Sequence, residues 1–237
     1  MSDLERLLDV QANDTETDRA RHRRATLPEL ATIAGLDAQE SQLRAEIAEP
    51  AEERATIARE QKRLEDEVAT LEAKVARVNH QLYEEGLTSP KEAQALQADL
   101  ESLQRHQRSL EDEVLELMER AEPLDELLSG AEERLVAIDG ERAAARESLA
   151  AAQTAIDAEI AALSAGRVEL VAAVPAALID EYERIRRGAD GVGVARLSGS
   201  TCTGCHLSLA AAELDAIRRA PADSLAHCPD CGRLLVP

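Results

Sequence analysis

Cysteine is the residue type in this chain whose spacing points most directly to chemistry. The sequence contains four cysteines, and they form two C-x2-C pairs near its end, Cys202 with Cys205 and Cys228 with Cys231. Each C-x2-C turn places two sulfur atoms on one side of an ion, so two such turns can close a tetrahedron of thiolates around Zn2+. The sequence therefore predicts one structural zinc ion on these four cysteines.

Other chemistry is compatible with the same residues. Residues 202–206 read C-x-x-C-H, the signature of covalent c-type haem attachment, but we expect no export of this chain and see no second axial ligand nearby. A redox dithiol or an iron–sulfur cluster could also use these cysteines, although no βαβ pattern surrounds either pair. His206 and His227 each adjoin a cysteine, and we expect both to be bystanders. Zinc is favoured, and the alternatives stay open at this point.

The overall composition is typical of a coiled coil. The chain of 237 residues has no Phe, no Trp and two Tyr, which is too few aromatic residues for a large compact core. Its hydrophobic residues, 44% of the total, are mostly Ala and Leu, and 31% of residues are charged. We therefore expect a mainly α protein built from long helices.

Apolar residues recur with a 4-3 spacing in two stretches, 43–82 and 96–163. Between the stretches, Gly86 can end a helix, while Ser89 and Pro90 can start the next one. We call the positions with this spacing the seam of each helix. In an antiparallel pairing, the residue numbers of seam positions that face each other add to 174, as for Leu64 with Leu110. This predicts an antiparallel coiled-coil hairpin over residues 1–170, with its turn near 84–90. The alternatives are two separate coiled coils made with other chains, or one long helix that bridges partners.

Two prolines interrupt the seams of the predicted hairpin at the same level. Pro50 lies in the first arm and Pro123 in the second, and the antiparallel pairing makes them face each other. Each proline removes a helical hydrogen bond, so we expect the hairpin to bend there.

The remaining residues, 171–237, are expected to form a connecting helix and a small C4 zinc-ribbon domain. A helix is predicted over 176–187 after Pro175, and short strands are predicted to end near Leu197 and to lie in the sequence GRLLVP at 232–237. Between the cysteine pairs, apolar residues from Leu207 to Ile217 are spaced as in a short helix.

Negative charge is concentrated in the helical part of the chain. The net charge is −20, and residues 1–174 contain 20 Lys and Arg against 39 Asp and Glu. Such arms repel phosphate backbones and anionic lipids, which argues against RNA binding by the hairpin itself. No apolar run is long enough to cross a membrane, and we expect no membrane partner and a cytoplasmic protein.

With hairpin, turn and ribbon assembled, the chain resembles a bacterial family of coiled-coil hairpin proteins that end in a C4-type zinc ribbon. The resemblance rests on LYEEGLTSPKEAQALQ at 82–97, YERIR at 182–186, CTGCHLSL at 202–209 and CPDCGRLL at 228–235. It implies zinc on the four cysteines and a non-enzymatic adaptor whose partners are macromolecules.

Nothing besides the cysteines gathers groups for catalysis, so we expect neither an enzyme nor a small-molecule substrate. We expect the ribbon to dock a protein partner through apolar residues, and the alternative is that its arginines bind RNA or DNA. The candidate partner-binding residues are Arg196, Leu207, Leu209, Arg218, Arg219, Arg233, Leu234 and Leu235.

Overall fold

Long helices dominate the chain, and a small sheet lies near its C-terminal end. The computed structural model describes residues 2–84, 89–219 and 224–237. The elements are α1 (Asp3–Ala25), α2 (Pro28–Tyr83), α3 (Pro90–Ala172), α4 (Ala176–Gly188), β1 (Val194–Ser198), β2 (Thr201–Cys202), α5 (Ala211–Arg219), β3 (Ala226–His227) and β4 (Leu234–Val236). The predicted mainly α fold, a coiled-coil hairpin followed by a small cysteine-bearing region with strands, is confirmed.

The first arm of the hairpin begins with a separate helix. Ser2 caps α1 because its hydroxyl accepts a hydrogen bond from the Glu5 backbone N–H, at 3.3 Å, while the Glu5 carboxylate accepts one from the Ser2 N–H, at 2.7 Å. The helix ends at Ala25, and Pro28 starts α2. Proline disfavours helical backbone in the residue before it, which separates the two helices. This break was not predicted from the sequence.

Residues 32–144 form one compact unit, in which α2 and α3 run antiparallel. Leu36 and Leu43 of α2 pack with Ala131 and Ile138 of α3 in one buried cluster. A second cluster contains Leu64, Leu71 and Leu110. Ion pairs join the same two helices beside these seams, for example Arg54 Nε to Asp125 Oδ1 at 2.7 Å. The predicted antiparallel register of the seams is confirmed.

The predicted turn is only partly within the described residues. The helix start at Pro90 is confirmed, and the Ser89 carbonyl accepts hydrogen bonds from the N–H groups of Glu92 and Ala93. The proposed stop at Gly86 lies outside the described residues. Pro50 and Pro123 each lie inside an uninterrupted helix, and the bend there stays a prediction.

Two glycines inside the hairpin helices offer a direct test of helix propensity. Gly35 in α2 and Gly140 in α3 are exposed, and a Cβ atom added at either position would contact nothing within 4 Å. Alanine loses less backbone entropy than glycine when a helix forms, so each Gly→Ala change should stabilise the hairpin by about 0.5–1 kcal/mol. Chemical denaturation followed by circular dichroism measures this, and a loss of stability would contradict it.

The second compact unit consists of residues 1–31 and 145–237. Its sheet has the strand order β2-β1-β4-β3, in which β1 and β4 are parallel and the other neighbours are antiparallel. The domain division at residue 170 stays a prediction. Within the described residues, no helix has the length and apolar character needed to cross a membrane.

The sheet of this unit separates two small cores. On one face, Val194 and Leu234 pack with residues of α1 and α4, including Leu7 and Tyr182, which are fully buried. The alternate residues of β1 and β4, Ala195 and Leu235, face the other way and pack with buried cysteines. Successive strand residues point to opposite faces, so β1 and β4 join the helical core to the cysteine site.

Candidate metal centre

The four cysteine thiols meet at one point beside the sheet. Their sulfur atoms all lie within 4.8 Å of one another, and all four thiols are free. The Sγ atoms of Cys202 and Cys231 are 4.0 Å apart, and those of Cys205 and Cys228 are 3.8 Å apart. Zinc–sulfur bonds of ~2.3 Å place tetrahedral sulfurs ~3.8 Å apart, so this arrangement fits one zinc ion.

The two C-x2-C turns are built in the same way. In the first, the His206 N–H donates to the Cys202 carbonyl at 2.8 Å, and in the second the Gly232 N–H donates to the Cys228 carbonyl at 2.8 Å. The residue after the second cysteine has a left-handed backbone in both turns, with φ of 62° at His206 and 70° at Gly232. The two turns therefore present their sulfurs to the ion in a similar way.

His206 occupies a position that favours glycine. A residue with a Cβ pays about 1 kcal/mol for left-handed backbone, so His206→Gly should stabilise the first turn by about that amount. The His206 side chain is exposed and lies outside the four-thiol cluster, so the variant should keep a full equivalent of zinc. Competition with a chelator would measure zinc affinity, and loss of the metal would make His206 a ligand.

The protein environment acts on the thiols before any metal binds. Burial raises the pKa of the Cys228 thiol to about 12. Burial also opposes ionisation of Cys231, but hydrogen bonds from Arg233, its backbone N–H first, lower the pKa of the Cys231 thiol to about 7. Zinc binds thiolates, so binding must release the remaining protons. When bound, the ion supplies a cross-link between the two turns.

Arg233 holds the loop before β1 against the second turn. Its Nε donates to the Val192 carbonyl at 3.0 Å, and its Nη2 donates to the Ala189 carbonyl at 2.9 Å. Its side chain also packs tightly on Gly204, where an added Cβ would lie 2.6 Å from Arg233 Cδ. Arg233 was predicted to contact a partner. That contact stays a prediction, and the half-buried guanidinium also joins the loop before β1 to the second turn.

A buried polar cluster anchors α1 to the rest of this unit. The Tyr182 hydroxyl donates to Asp14 Oδ2 at 2.8 Å, and Arg167 Nε donates to Asp14 Oδ1 at 2.6 Å. Arg186 Nε lies 3.7 Å from the same carboxylate, and Arg167 also pairs with Glu183. Burial, and then the hydrogen bond to Asp14, raise the pKa of Tyr182. The phenol therefore stays protonated and acts as a hydrogen-bond donor.

Gln11 of α1 makes a second polar link. Its Nε2 donates to the Gly191 carbonyl at 2.9 Å, and its Oε1 accepts from the Gly193 N–H at 2.7 Å. Gly193 lies so close to Tyr182 that an added Cβ would be 2.6 Å from the ring. Residues of α1 therefore position the loop that leads into β1. This contribution was not predicted, although Leu4, Leu7 and Val10 have the spacing of a helical apolar face.

Three leucines predicted to contact a partner are instead core residues. Leu209 is 6% exposed, and Leu234 and Leu235 are fully buried. Leu234 belongs to the core shared with α1 and α4, while Leu209 and Leu235 pack beside the cysteines. These leucines were predicted to lie at the surface, whereas both faces of the sheet are covered. The three side chains are therefore core residues and do not contact a partner.

The other predicted contact residues lie at the surface. Leu207, directly after the first cysteine turn, exposes 52% of its area, and Arg196 on β1 is exposed. Arg219 forms an ion pair with Asp215 at 2.8 Å, and Arg218 Nη2 donates to the Gly199 carbonyl at 3.4 Å. His227, predicted to be a bystander, lies 3.3 Å from a carboxylate oxygen of Glu181 and outside the thiol cluster.

Comparison with known proteins supports both parts of this architecture. Residues 10–190 match the model of the CT398-like coiled coil hairpin domain, and residues 201–235 match that of the C4-type zinc ribbon domain. An uncharacterised protein of Mycobacterium tuberculosis is 32% identical over 230 residues, which cover 97% of this chain and 93% of that protein.

Solved structures show the same fold. A Mycobacterium smegmatis protein superimposes with a TM-score of 0.86 at 28% identity, covering 99% of this chain and 97% of that one. CT398 from Chlamydia trachomatis gives a TM-score of 0.69 at 21% identity, covering 98% and 96%. The four clustered thiols and the ribbon match agree with one structural zinc ion. The chain therefore belongs to the family of CT398-like coiled-coil hairpin proteins and carries a C4-type zinc ribbon.

Proposed function

We propose that this protein is a non-enzymatic adaptor whose zinc ribbon docks a macromolecular partner, and that it acts in the cytoplasm. The observation that carries the proposal is the donor set of the metal site. Four thiolates fill all four positions around zinc, whereas catalytic zinc keeps one position open for water or substrate. A closed site of this kind stabilises a fold. A reducing compartment also suits four free thiols.

A protein is the partner class that the ribbon surface favours. Arg233 is engaged with backbone carbonyls, so fewer arginines are available for phosphates than the sequence suggests. Tyr182 is fully buried and cannot stack on a base. Leu207, in contrast, presents an exposed apolar side chain directly after a turn whose cysteines would hold the zinc ion.

The test uses the full chain, because α1 forms part of the core that supports the sheet. The immobilised protein, loaded with zinc, is exposed to nuclease-treated native lysate at low and high salt. A Leu207→Asp variant is compared with Leu127→Asp, a leucine on α3 of similar exposure. We expect a protein that is retained at high salt, lost with Leu207→Asp and kept with Leu127→Asp. Equal retention by both variants would contradict docking at Leu207.

Nucleic-acid binding is the alternative, and its salt dependence distinguishes it. If Arg196, Arg218 and Arg219 contact phosphates, the affinity of the full chain for mixed RNA or DNA should fall steeply with salt. The log–log slope should then lose roughly one unit for each arginine replaced by alanine. Micromolar binding that disappears in the triple variant would replace the protein-docking proposal.

A further inference from the structure

A groove between α2 and α3 leaves apolar surface uncovered in the unit of residues 32–144. The groove has a volume of about 350 Å3, and its floor is formed by Val68 and Ala69 of α2 with Val114 and Leu115 of α3. Leu115 is 56% exposed, and Met118, one turn further along α3, is 50% exposed. About half of the surface of each residue is therefore accessible, and both lie on one face of a highly charged helix.

The groove follows from the heptad pattern of the two helices. Each of its residues outside the seam comes directly after a seam residue, so all of them lie on the same flank of their helix. In an antiparallel pair, equivalent flanks of the two helices face the same side of the coiled coil. On α2 the flank residues are Glu65, Ala69 and Glu72, and on α3 they are Glu111, Leu115 and Met118.

The rim of the groove carries three glutamates, and the charge of one of them, Glu65, contributes to a raised pKa of Lys62 on the same flank. Glu65, Glu72 and Glu111 line it, and none of them forms an ion pair with the residues that the structure describes. Two of them accept only amide hydrogen bonds, Glu65 from Gln61 at 2.8 Å and Glu111 from Gln107 at 2.7 Å. An apolar floor with an unpaired acidic rim attracts a ligand that is both apolar and cationic.

On the opposite flank of the same segment, two glutamates are paired with an arginine. There, Arg63 pairs with Glu60 at 2.7 Å and with Glu67 at 3.2 Å. Hydrogen bonding to Glu60 raises the pKa of Arg63, and the nearby charge of Glu113 on α3 contributes in the same direction. On that flank Glu60 and Glu67 are therefore held in ion pairs, whereas the three rim glutamates form none with the described residues.

We propose that this groove docks a cationic amphipathic helix of a partner protein. Apolar residues spaced i, i+3, i+4 and i+7 would cover Leu115 and Met118, while lysines or arginines beside them would reach the three rim glutamates. A second copy of this chain is disfavoured because it would bring an identical acidic rim into contact at a net charge of −20. Nucleic acid is repelled by the same charge. The proposal is independent of what the ribbon binds.

The probe is a synthetic 14-residue helical peptide of leucine and lysine with leucines at i, i+3, i+4 and i+7. Fluorescence anisotropy measures its binding to the full zinc-loaded chain at several salt concentrations. Leu115→Lys should weaken binding by about tenfold or more, because it places a charge on the apolar floor. The triple variant Glu65→Gln/Glu72→Gln/Glu111→Gln should weaken binding at low salt and reduce its salt dependence.

Matched controls separate groove binding from general attraction to an acidic protein. Val136→Lys adds the same charge at an exposed apolar residue of α3 outside the groove, and it should leave binding unchanged. Glu67→Gln/Glu113→Gln/Glu116→Gln removes three charges from the opposite flank and should also have little effect. Equal losses in the groove variants and their controls would overturn the proposal. A dimer of the free chain that Leu115→Lys dissociates in sedimentation would overturn it as well, by making the groove a self-interface.

Discussion

Replacing Cys228 with serine should remove zinc and unfold the small core beside the cysteines. Cys228 is buried, and its sulfur lies 3.8 Å from that of Cys205 across the site. Structural zinc in small domains contributes about 10–16 kcal/mol of binding free energy, which exceeds the stability of a core of this size. Elemental analysis should fall from one zinc per chain to well below one, and amide protection around β2 and β3 should be lost.

The hairpin should survive this substitution. The seam clusters around Leu43 and Leu64 contain no residue of the ribbon, so most helical circular dichroism should remain. His227→Ser is the matched control, because His227 adjoins Cys228 but is exposed and lies outside the thiol cluster. That control should keep zinc. Iron in place of zinc, or a full equivalent of zinc in the Cys228→Ser protein, would contradict the assignment of the site.

Asp14→Ala should destabilise the unit of residues 1–31 and 145–237 by about 3 kcal/mol. The Asp14 side chain is 4% exposed, and its removal leaves Arg167 without its closest carboxylate and the Tyr182 hydroxyl without an acceptor. Removing one partner of a buried ion pair costs about 3–5 kcal/mol, and the partial exposure of Arg167 places the expected loss at the lower end. Thermal unfolding and hydrogen exchange of α1 and α4 measure it.

Asp9→Ala provides the control for this prediction. Asp9 is an exposed residue of the same helix, so the variant makes an equal change in charge and helix propensity without disturbing the cluster. Its effect should stay within about 0.5 kcal/mol. Tyr182→Phe should fall between the two, at about 1–2 kcal/mol, because it removes one hydrogen bond and leaves Arg167 paired. Equal effects of Asp14→Ala and Asp9→Ala would show that the cluster does not hold α1.

Together, these experiments distinguish two sources of stability in the same unit. Zinc stabilises the face of the sheet that carries Ala195 and Leu235, whereas α1 and α4 stabilise the face that carries Val194 and Leu234. Asp14→Ala should therefore retain zinc, and Cys228→Ser should retain the packing of Leu7 against Tyr182. If either variant lost both cores, the two faces of the sheet would depend on each other for their stability.

The amino-acid sequence by itself determined the features that depend on local spacing. Two C-x2-C pairs predicted the four ligands because each turn fixes its own pair of sulfurs, whatever surrounds it. The 4-3 spacing and Pro90 predicted the antiparallel hairpin and the start of α3, because a seam shows which side of a helix is buried. Pro28 is a further local signal, because proline disfavours helical backbone in the residue before it and so separates α1 from α2.

The tertiary structure decided which side chains remain available to a partner. Leu209, Leu234 and Leu235 look like surface residues of a small ribbon, but α1, α4 and the cysteine core cover both faces of the sheet. The packing of α1 joins residues more than 150 positions apart, as in the bond between Asp14 and Arg167. Local periodicity shows that a helix has an apolar face, but the element that covers this face depends on contacts distant in sequence.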